Sequence, residues 1–253
     1  MNDYIEKEIA IENSNLKEVW FSNHYAMIHS ILRDNQNVGS VIIPNPVKKI
    51  CNFAFSRCYE LTSVSLPESL CFIGSGAFNC CRKLKSIIIP QNVTELGGDD
   101  AFSGCWELTS VTILGCVLPK FRFCRKISTI TIGENLDNIN PNAFNDCKNI
   151  KSIVVDQNNK YFDSRNNCNA IIETKTDTLL LACNSTTIPD GIKHISSRAF
   201  WNCGRIKTLS LPNSLETIER LPDNVTKIIV PKGRKQEFKK KLPWTRGFVL
   251  EEK

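Results

Sequence analysis

The segment AFSGCWELTSVTIL, residues 101–114, decides the fold, because other segments of the chain repeat its pattern. Each copy fits A-F-x-x-C-x-x-[LI]-[KT]-[ST] followed by alternating aliphatic residues, and the copies begin at Ala54, Ala77, Ala101, Ala143 and Ala199. A sixth copy starts at Phe121 and has Lys120 where the alanine would stand. Chance does not produce five long matches at a regular spacing, so the chain consists of a repeated structural unit.

The aliphatic run in each copy predicts a short β-strand. In LTSVSLP, residues 61–67, alternation places Val64 and Leu66 on one side of the strand and Ser63 and Ser65 on the other. Proline then ends the strand, because it has no N–H to donate. The runs start at Val41, Val64, Ile87, Val111, Ile130, Ile153, Thr186, Leu209 and Ile228, with gaps of 23, 23, 24, 19, 23, 33, 23 and 19 residues.

A single unit buries too few apolar side chains to offset the entropy of ordering it, so the units must stack. The motif phenylalanine is predicted to be the large buried ring of each unit, with the small alanine and cysteine beside it. The expected fold is an α/β leucine-rich-repeat solenoid, a curved right-handed coil with one parallel sheet of about nine short strands. Turns or short 3₁₀ or α pieces lie opposite the sheet, and regular helices are few.

Breaks in the period suggest three regions. Residues 1–40 are predicted to be an N-terminal capping segment, with a helix that begins at Ser14 and carries Leu16, Val19, Trp20, Met27 and Ile31. Residues 41–231 form the repeats, and an insertion at about 156–184 is expected to hold a β-hairpin around Lys175 to Asp177. Residues 232–253 are predicted to be a basic C-terminal cap.

Composition is that of an ordinary folded protein, with 42% hydrophobic and 23% charged residues in 253. No apolar run is long enough for a membrane span, and the start MNDYIEKEIA has neither the basic charge nor the apolar stretch of a secretory signal. The expected location of the chain as written is cytoplasmic. If the chain is a trimmed piece, a cell-surface or secreted location is the alternative.

The net charge of +6 comes from the C-terminal segment, because residues 227–253 contain nine Lys or Arg and only three Glu. One interpretation is a solvated basic tail, and the other is contact with an anionic surface through Lys239, Lys240 and Lys241. Phe238 and Leu242 are four residues apart, which places both on one face of a short helix that could close the last coil.

These motifs resemble the BspA-like class of leucine-rich repeats, whose pattern is A-F-x-x-C-x-x-L-x-S-V-x-L-P. The hairpin-bearing segment from Val155 and the ending IIVPKGRKQEFKKKLPW from Ile228 are similar to features of bacterial members. The resemblance covers residues 41–253. It implies a curved solenoid with a binding or adhesion role, often at the bacterial surface, and it transfers no catalytic residues.

Six cysteines share one motif position: Cys58, Cys81, Cys105, Cys124, Cys147 and Cys203. A column with one thiol per coil cannot converge on a zinc ion, so we expect buried, reduced thiols, although the spacing also permits disulfides. The sequence has no phosphate loop, dinucleotide fingerprint or nucleophile elbow. No enzyme activity, metal or cofactor is therefore expected.

The outward positions of the predicted sheet are small, uncharged or β-branched. Strand propensity alone explains this composition, and the functional alternative is a flat docking surface. Its candidate residues are Ser65, Ile88, Thr112, Thr131, Val154 and Ser210. The expected function is a scaffold for protein–protein interaction, and the alternative is a cell-surface adhesion module that binds host or matrix protein or glycan. We expect a monomer with an unidentified protein or glycan partner and no specific nucleic acid.

Overall fold

The computed structural model describes residues 18–20, 27–28, 32–98, 100–140, 142–241 and 249–253. Its strands are β1 (Glu18–Trp20), β2 (Met27–Ile28), β3 (Ser40–Ile42), β4 (Lys49–Ile50), β5 (Ser63–Ser65), β6 (Phe72–Ile73), β7 (Ser86–Ile89), β8 (Glu95–Leu96), β9 (Ser110–Ile113), β10 (Thr129–Ile132), β11 (Ser152–Val155), β12 (Phe162–Asp163), β13 (Ala170–Glu173), β14 (Thr178–Ala182), β15 (His194–Ile195), β16 (Thr208–Ser210), β17 (Thr217–Ile218), β18 (Lys227–Val230) and β19 (Val249–Glu252). The helical pieces of the described chain include one α-helix, α1 (Lys235–Lys241), and a 3₁₀ turn at Arg165–Asn167.

The strands stack into a solenoid. The aliphatic runs form parallel sheets in the orders β1-β3-β5, β7-β9-β10-β11 and β16-β18-β19. A second parallel ladder, β2-β4-β6-β8, runs through the return stretch of the first coils, where the sequence analysis predicted no strand. The motif segments opposite are successive turns, in which the Phe55 carbonyl accepts from the Cys58 amide at 3.2 Å and the Cys58 carbonyl from the Leu61 amide at 3.1 Å.

The array begins earlier than the sequence analysis placed it. β1 pairs in parallel with β3, and β2 pairs with β4, each 22 residues further along the chain. The helix predicted over Glu18–Trp20 and Met27–Ile28 is therefore wrong. These residues form strands that add one more coil before the first predicted one. Ser14, Leu16 and Ile31, also assigned to that helix, lie outside the described residues.

The expected hairpin is present, and it forms a full layer of the array. β13 and β14 pair antiparallel, and β13 carries three consecutive buried residues. One hydrophobic cluster includes Ile171 and Leu181 from the hairpin, and a second cluster includes Ile172 and Leu179. Both faces of the hairpin are thus covered, so it joins the core of the first coils to that of the last.

The hairpin changes the strand pattern beside it. The strand predicted from Thr186 does not form, since the hydroxyl of Thr186 accepts from the Cys183 amide at 2.8 Å and contacts the Asn169 carbonyl at 2.5 Å. β19 instead adds a strand that the sequence analysis did not predict, paired with β18.

A charged cluster ties the hairpin to its neighbours. The Arg165 guanidinium contacts Asp163 at 2.6 Å and Asp177, in the hairpin turn, at 3.0 Å. Lys193 from the following coil reaches Asp177 at 3.0 Å. Hydrogen bonds from Lys193 and Arg165 lower the pKa of Asp177.

Candidate binding groove on the turn face

The motif residues that could have carried chemistry form the core instead. Phe55, Phe78, Phe102, Phe121 and Phe144 stack in one column, with ring centroids 5.0, 5.2, 5.6 and 5.5 Å apart. The six motif cysteines are also buried and unpaired by disulfides, five of them in the same hydrophobic cluster as these rings and Cys203 in the second cluster. The thiols of those five contact carbonyls of the preceding coil, as Cys81 does to Phe55 at 3.1 Å and Cys105 to Phe78 at 3.3 Å. Among the described residues, no group of His, Cys, Asp and Glu side chains is arranged to hold a metal ion.

We expect native thiol titration to separate the twelve cysteines sharply. Eight are buried, three are partly buried and Cys71 is exposed. Burial raises the pKa of Cys58 and Cys203 to about 12, so these groups stay protonated and unreactive at pH 8. Ellman's reagent at pH 8 should therefore label at most four thiols in the folded chain and all twelve in guanidinium chloride. Fast native labelling of Cys105 or Cys147, identified by mass spectrometry, would show that the motif column is open.

The sheet-face candidates point outward, but only some are neighbours. Ile88 is the cross-strand partner of Thr112, Thr112 that of Thr131, and Thr131 that of Val154. These four form one continuous row, which we call the sheet-face row, with Ile88 57% and Val154 49% exposed. Ser65 and Ser210 belong to other sheets.

The lysine candidates on α1 differ from one another. Lys239 and Lys240 are exposed, and no ion pair or hydrogen bond within the described chain occupies their ammonium groups. Lys241 is engaged, since it donates to the Leu215 carbonyl at 3.0 Å and lies 2.8 Å from Glu237. Hydrogen bonds from Arg234 and Lys241 lower the pKa of Glu237 to about 2. The lysines therefore do not form one free cationic patch.

A groove on the turn face, which the sequence analysis missed, combines exposed aromatic rings with cations. We call it the turn groove, and its lining includes Asp100, Trp106, Glu107, Arg122, Phe123, Arg125 and Lys126. Trp106 is 49% and Phe123 43% exposed, although both lie next to fully buried motif cysteines. Both rings occupy the variable x positions of the A-F-x-x-C-x-x-L motif. An aromatic residue at these outward positions was the available sequence signal.

The turn groove rests on a stacked column of side chains from three successive coils. The Arg82 guanidinium lies between two rings, with its carbon 4.3 Å from the centroid of Tyr59 and 4.4 Å from that of Trp106. Beside this column, Lys126 contacts both carboxylate oxygens of Glu107 at 2.7 Å. Cation–π contact on one face fixes the plane of Trp106 while leaving about half of the side chain exposed.

The sequence matches the family model described as BspA type Leucine rich repeat region in six copies, over residues 27–117, 119–177 and 180–223. The comparison with curated proteins finds no match. The described part of the chain contains no helix that is long and apolar enough to cross a bilayer.

Several bacterial leucine-rich repeat structures are similar. The pneumococcal vaccine antigen PcpA is 20% identical with a TM-score of 0.51, over 76% of this chain and 53% of PcpA. A leucine-rich repeat protein from Eubacterium ventriosum is 16% identical with a TM-score of 0.50, over 79% of this chain and 68% of that one. One from T. pallidum is 22% identical with a TM-score of 0.49, over 58% and 71%. The first two support the solenoid fold, and this chain spans about half the length of the PcpA structure.

Proposed function

Because this chain belongs to the BspA-type leucine-rich repeat family, we propose that it is a non-catalytic scaffold that binds another protein, and that the turn groove is its principal contact. A solenoid exposes a long surface for its size, which suits it to binding rather than to enclosing a substrate. The observation that carries the proposal is the pair of exposed rings, Trp106 and Phe123, beside arginines. Tryptophan, tyrosine and arginine dominate the energetically important positions of protein interfaces.

The sheet-face row is left out of this proposed contact. Its residues are uncharged and lack aromatic rings, so it offers area without anchoring side chains. Substitutions on this row therefore serve as controls for the turn groove.

The test is capture from an extract of the source cells by the immobilised chain. We expect at least one protein to be retained by the wild type and lost by the double variant Trp106→Ala/Phe123→Gly. The matched control is Ile88→Thr/Val154→Thr, which changes two side chains of similar exposure on the sheet-face row and should retain that protein. Equal retention by the groove variant, or no specific retention by the wild type, would contradict the proposal.

A cell-surface adhesion module is the second candidate, and the continuous sheet-face row favours it, since a flat uncharged face could lie along an extended matrix polymer. Biotinylation of intact source cells with a membrane-impermeant reagent tests this location. Labelling of the exposed lysines Lys239 and Lys240 would support a surface protein, and labelling only after lysis would exclude it.

A further inference from the structure

Phe123 occupies a backbone position that does not suit it. The second x of A-F-x-x-C takes a left-handed conformation in successive coils, with φ of 61° at Arg57, 60° at Cys80, 75° at Gly104, 63° at Phe123 and 69° at Asp146. Glycine adopts this conformation without cost and aspartate at low cost, whereas a bulky residue is strained there. Phe123 is also 43% exposed, so neither backbone geometry nor burial accounts for a ring at this position. Strained residues of this kind cluster at binding sites.

In the turn groove the carboxylates have partners, whereas two of the cations have no ion pair among the described residues. Lys126 neutralises Glu107, and the other lining carboxylate, Asp100, accepts a hydrogen bond from the Ser103 hydroxyl at 3.0 Å. Arg122 lies over the Phe123 ring, 5.3 Å from its centroid. Neither Arg122 nor Arg125 makes an ion pair with a residue that the structure describes. Within the described residues, two guanidinium groups without an ion pair thus lie beside two exposed rings.

We infer that the turn groove receives an acidic peptide segment of the protein partner, which places carboxylates on Arg122 and Arg125 and an apolar side chain against Trp106 and Phe123. This inference rests on the proposed binding function and names the chemistry of its partner. A guanidinium pairs with a carboxylate through two parallel hydrogen bonds, which fixes the orientation of the peptide. The Arg82 stack holds Trp106 in place before binding, so little freedom is lost at that ring.

A peptide suits the groove better than a nucleic acid does. Single-stranded nucleic acids also stack on aromatic rings, but they need a continuous cationic path along the backbone. Here Asp100 and Glu107 lie among the cations of the groove, and the net charge of +6 comes from residues 227–253. A peptide can place two separate carboxylates on the arginines, which have no ion pair among the described residues, and it need not bring a phosphate close to Asp100.

Fluorescence polarisation with a labelled peptide tests the inference on the full chain. The probe is fluorescein-labelled Asp-Glu-Leu-Phe-Glu-Asp, and the comparison probes replace the acidic residues by Lys, replace Leu and Phe by Ser, or are a fluorescein-labelled hexauridylate of equal length. We expect saturable binding of the first probe alone, with a half-saturation concentration below about 1 mM that rises with salt. Equal or tighter binding of the oligonucleotide, or no saturable binding of the acidic probe, would overturn the inference.

Matched variants assign the binding to the groove. Arg122→Gln/Arg125→Gln should weaken it at least about tenfold, because charge-assisted hydrogen bonds are lost. Phe123→Gly should weaken it about fivefold or more while the melting temperature stays equal or rises, since glycine relieves the left-handed backbone. Ile88→Thr/Val154→Thr should change neither quantity. Unchanged binding by the arginine variant would overturn the inference.

The two proposals can fail separately. If the acidic probe does not bind, but capture of a cell protein still depends on Trp106 and Phe123, the scaffold function stands and the acidic chemistry is wrong. If capture is also independent of both rings, the proposed function fails as well.

Discussion

Replacing Phe102 by Ala is expected to destabilise the folded chain by about 3–5 kcal/mol, as truncation of a buried phenylalanine does. Phe102 is fully buried at the centre of the ring column, with Phe78 at 5.2 Å on one side and Phe121 at 5.6 Å on the other. Its loss leaves a cavity that neither ring can fill, because each is held by a further ring in the column. Urea denaturation followed by circular dichroism measures the difference.

Trp106→Ala is the matched control for that substitution. Trp106 lies four residues away on the same coil, is 49% exposed and contacts Arg82, so its replacement should cost less than about 1 kcal/mol. A loss below about 1 kcal/mol for Phe102→Ala would mean that the ring column does not support the array.

Deleting residues 232–253 should lower the melting temperature by at least about 6 °C and promote self-association. The deletion removes Phe238, which is fully buried against the second core cluster, and β19, which covers the edge of β18. Loss of the buried ring alone corresponds to about 3–5 kcal/mol. The exposed edge of β18, a strand that contains Ile228 and Val230, can then pair with another chain.

The control is Lys239→Gln/Lys240→Gln, which lowers the charge of α1 without touching the core. Lys241 is left unchanged because it donates to the Leu215 carbonyl. Differential scanning calorimetry and light scattering should find the control unchanged in stability and in size. If the truncated chain has the melting temperature of the wild type and stays monomeric, residues 232–253 are a solvated tail.

The repeat pattern was enough to predict the solenoid, the buried Phe and Cys columns and the hairpin. Each copy has the same spacing between its strand and its Ala-Phe-x-x-Cys turn, so one interpretation applies to every coil. The coil before β3 was missed because Leu32 and Asn35 stand where Phe and Cys would mark it. Only the register of β1 with β3 shows that it continues the array.

The strand at Thr186 could not be judged from periodicity. The Thr186 hydroxyl makes hydrogen bonds with Cys183 and Asn169, which flank the hairpin, and the backbone there does not join a strand ladder. β19 lies 22 residues after β18 and carries no motif around it. Its alternation, Val-Leu-Glu-Glu, is too short to predict a strand by itself.

The turn groove could not be predicted from the sequence for a different reason. Tyr59, Arg82 and Trp106 are 23 and 24 residues apart, and their stacking depends on the register of three coils. The exposed Trp106 and Phe123 could have been noticed at outward motif positions. The left-handed backbone at Phe123, and the lack of an ion pair to Arg125 among the described residues, could be seen only in the structure.

Hydrogen–deuterium exchange of the chain bound to its captured partner tests the central claim, that binding uses the turn groove, most directly. The backbone amides of Trp106, Phe123 and Arg125 donate no hydrogen bond within the described chain, so they should exchange rapidly when the protein is free. We predict that the partner slows exchange in peptides spanning residues 104–107 and 122–126, and leaves the strand Ser86–Ile89 unchanged. Protection confined to the sheet-face strands, with none at Trp106 and Phe123, would contradict the account.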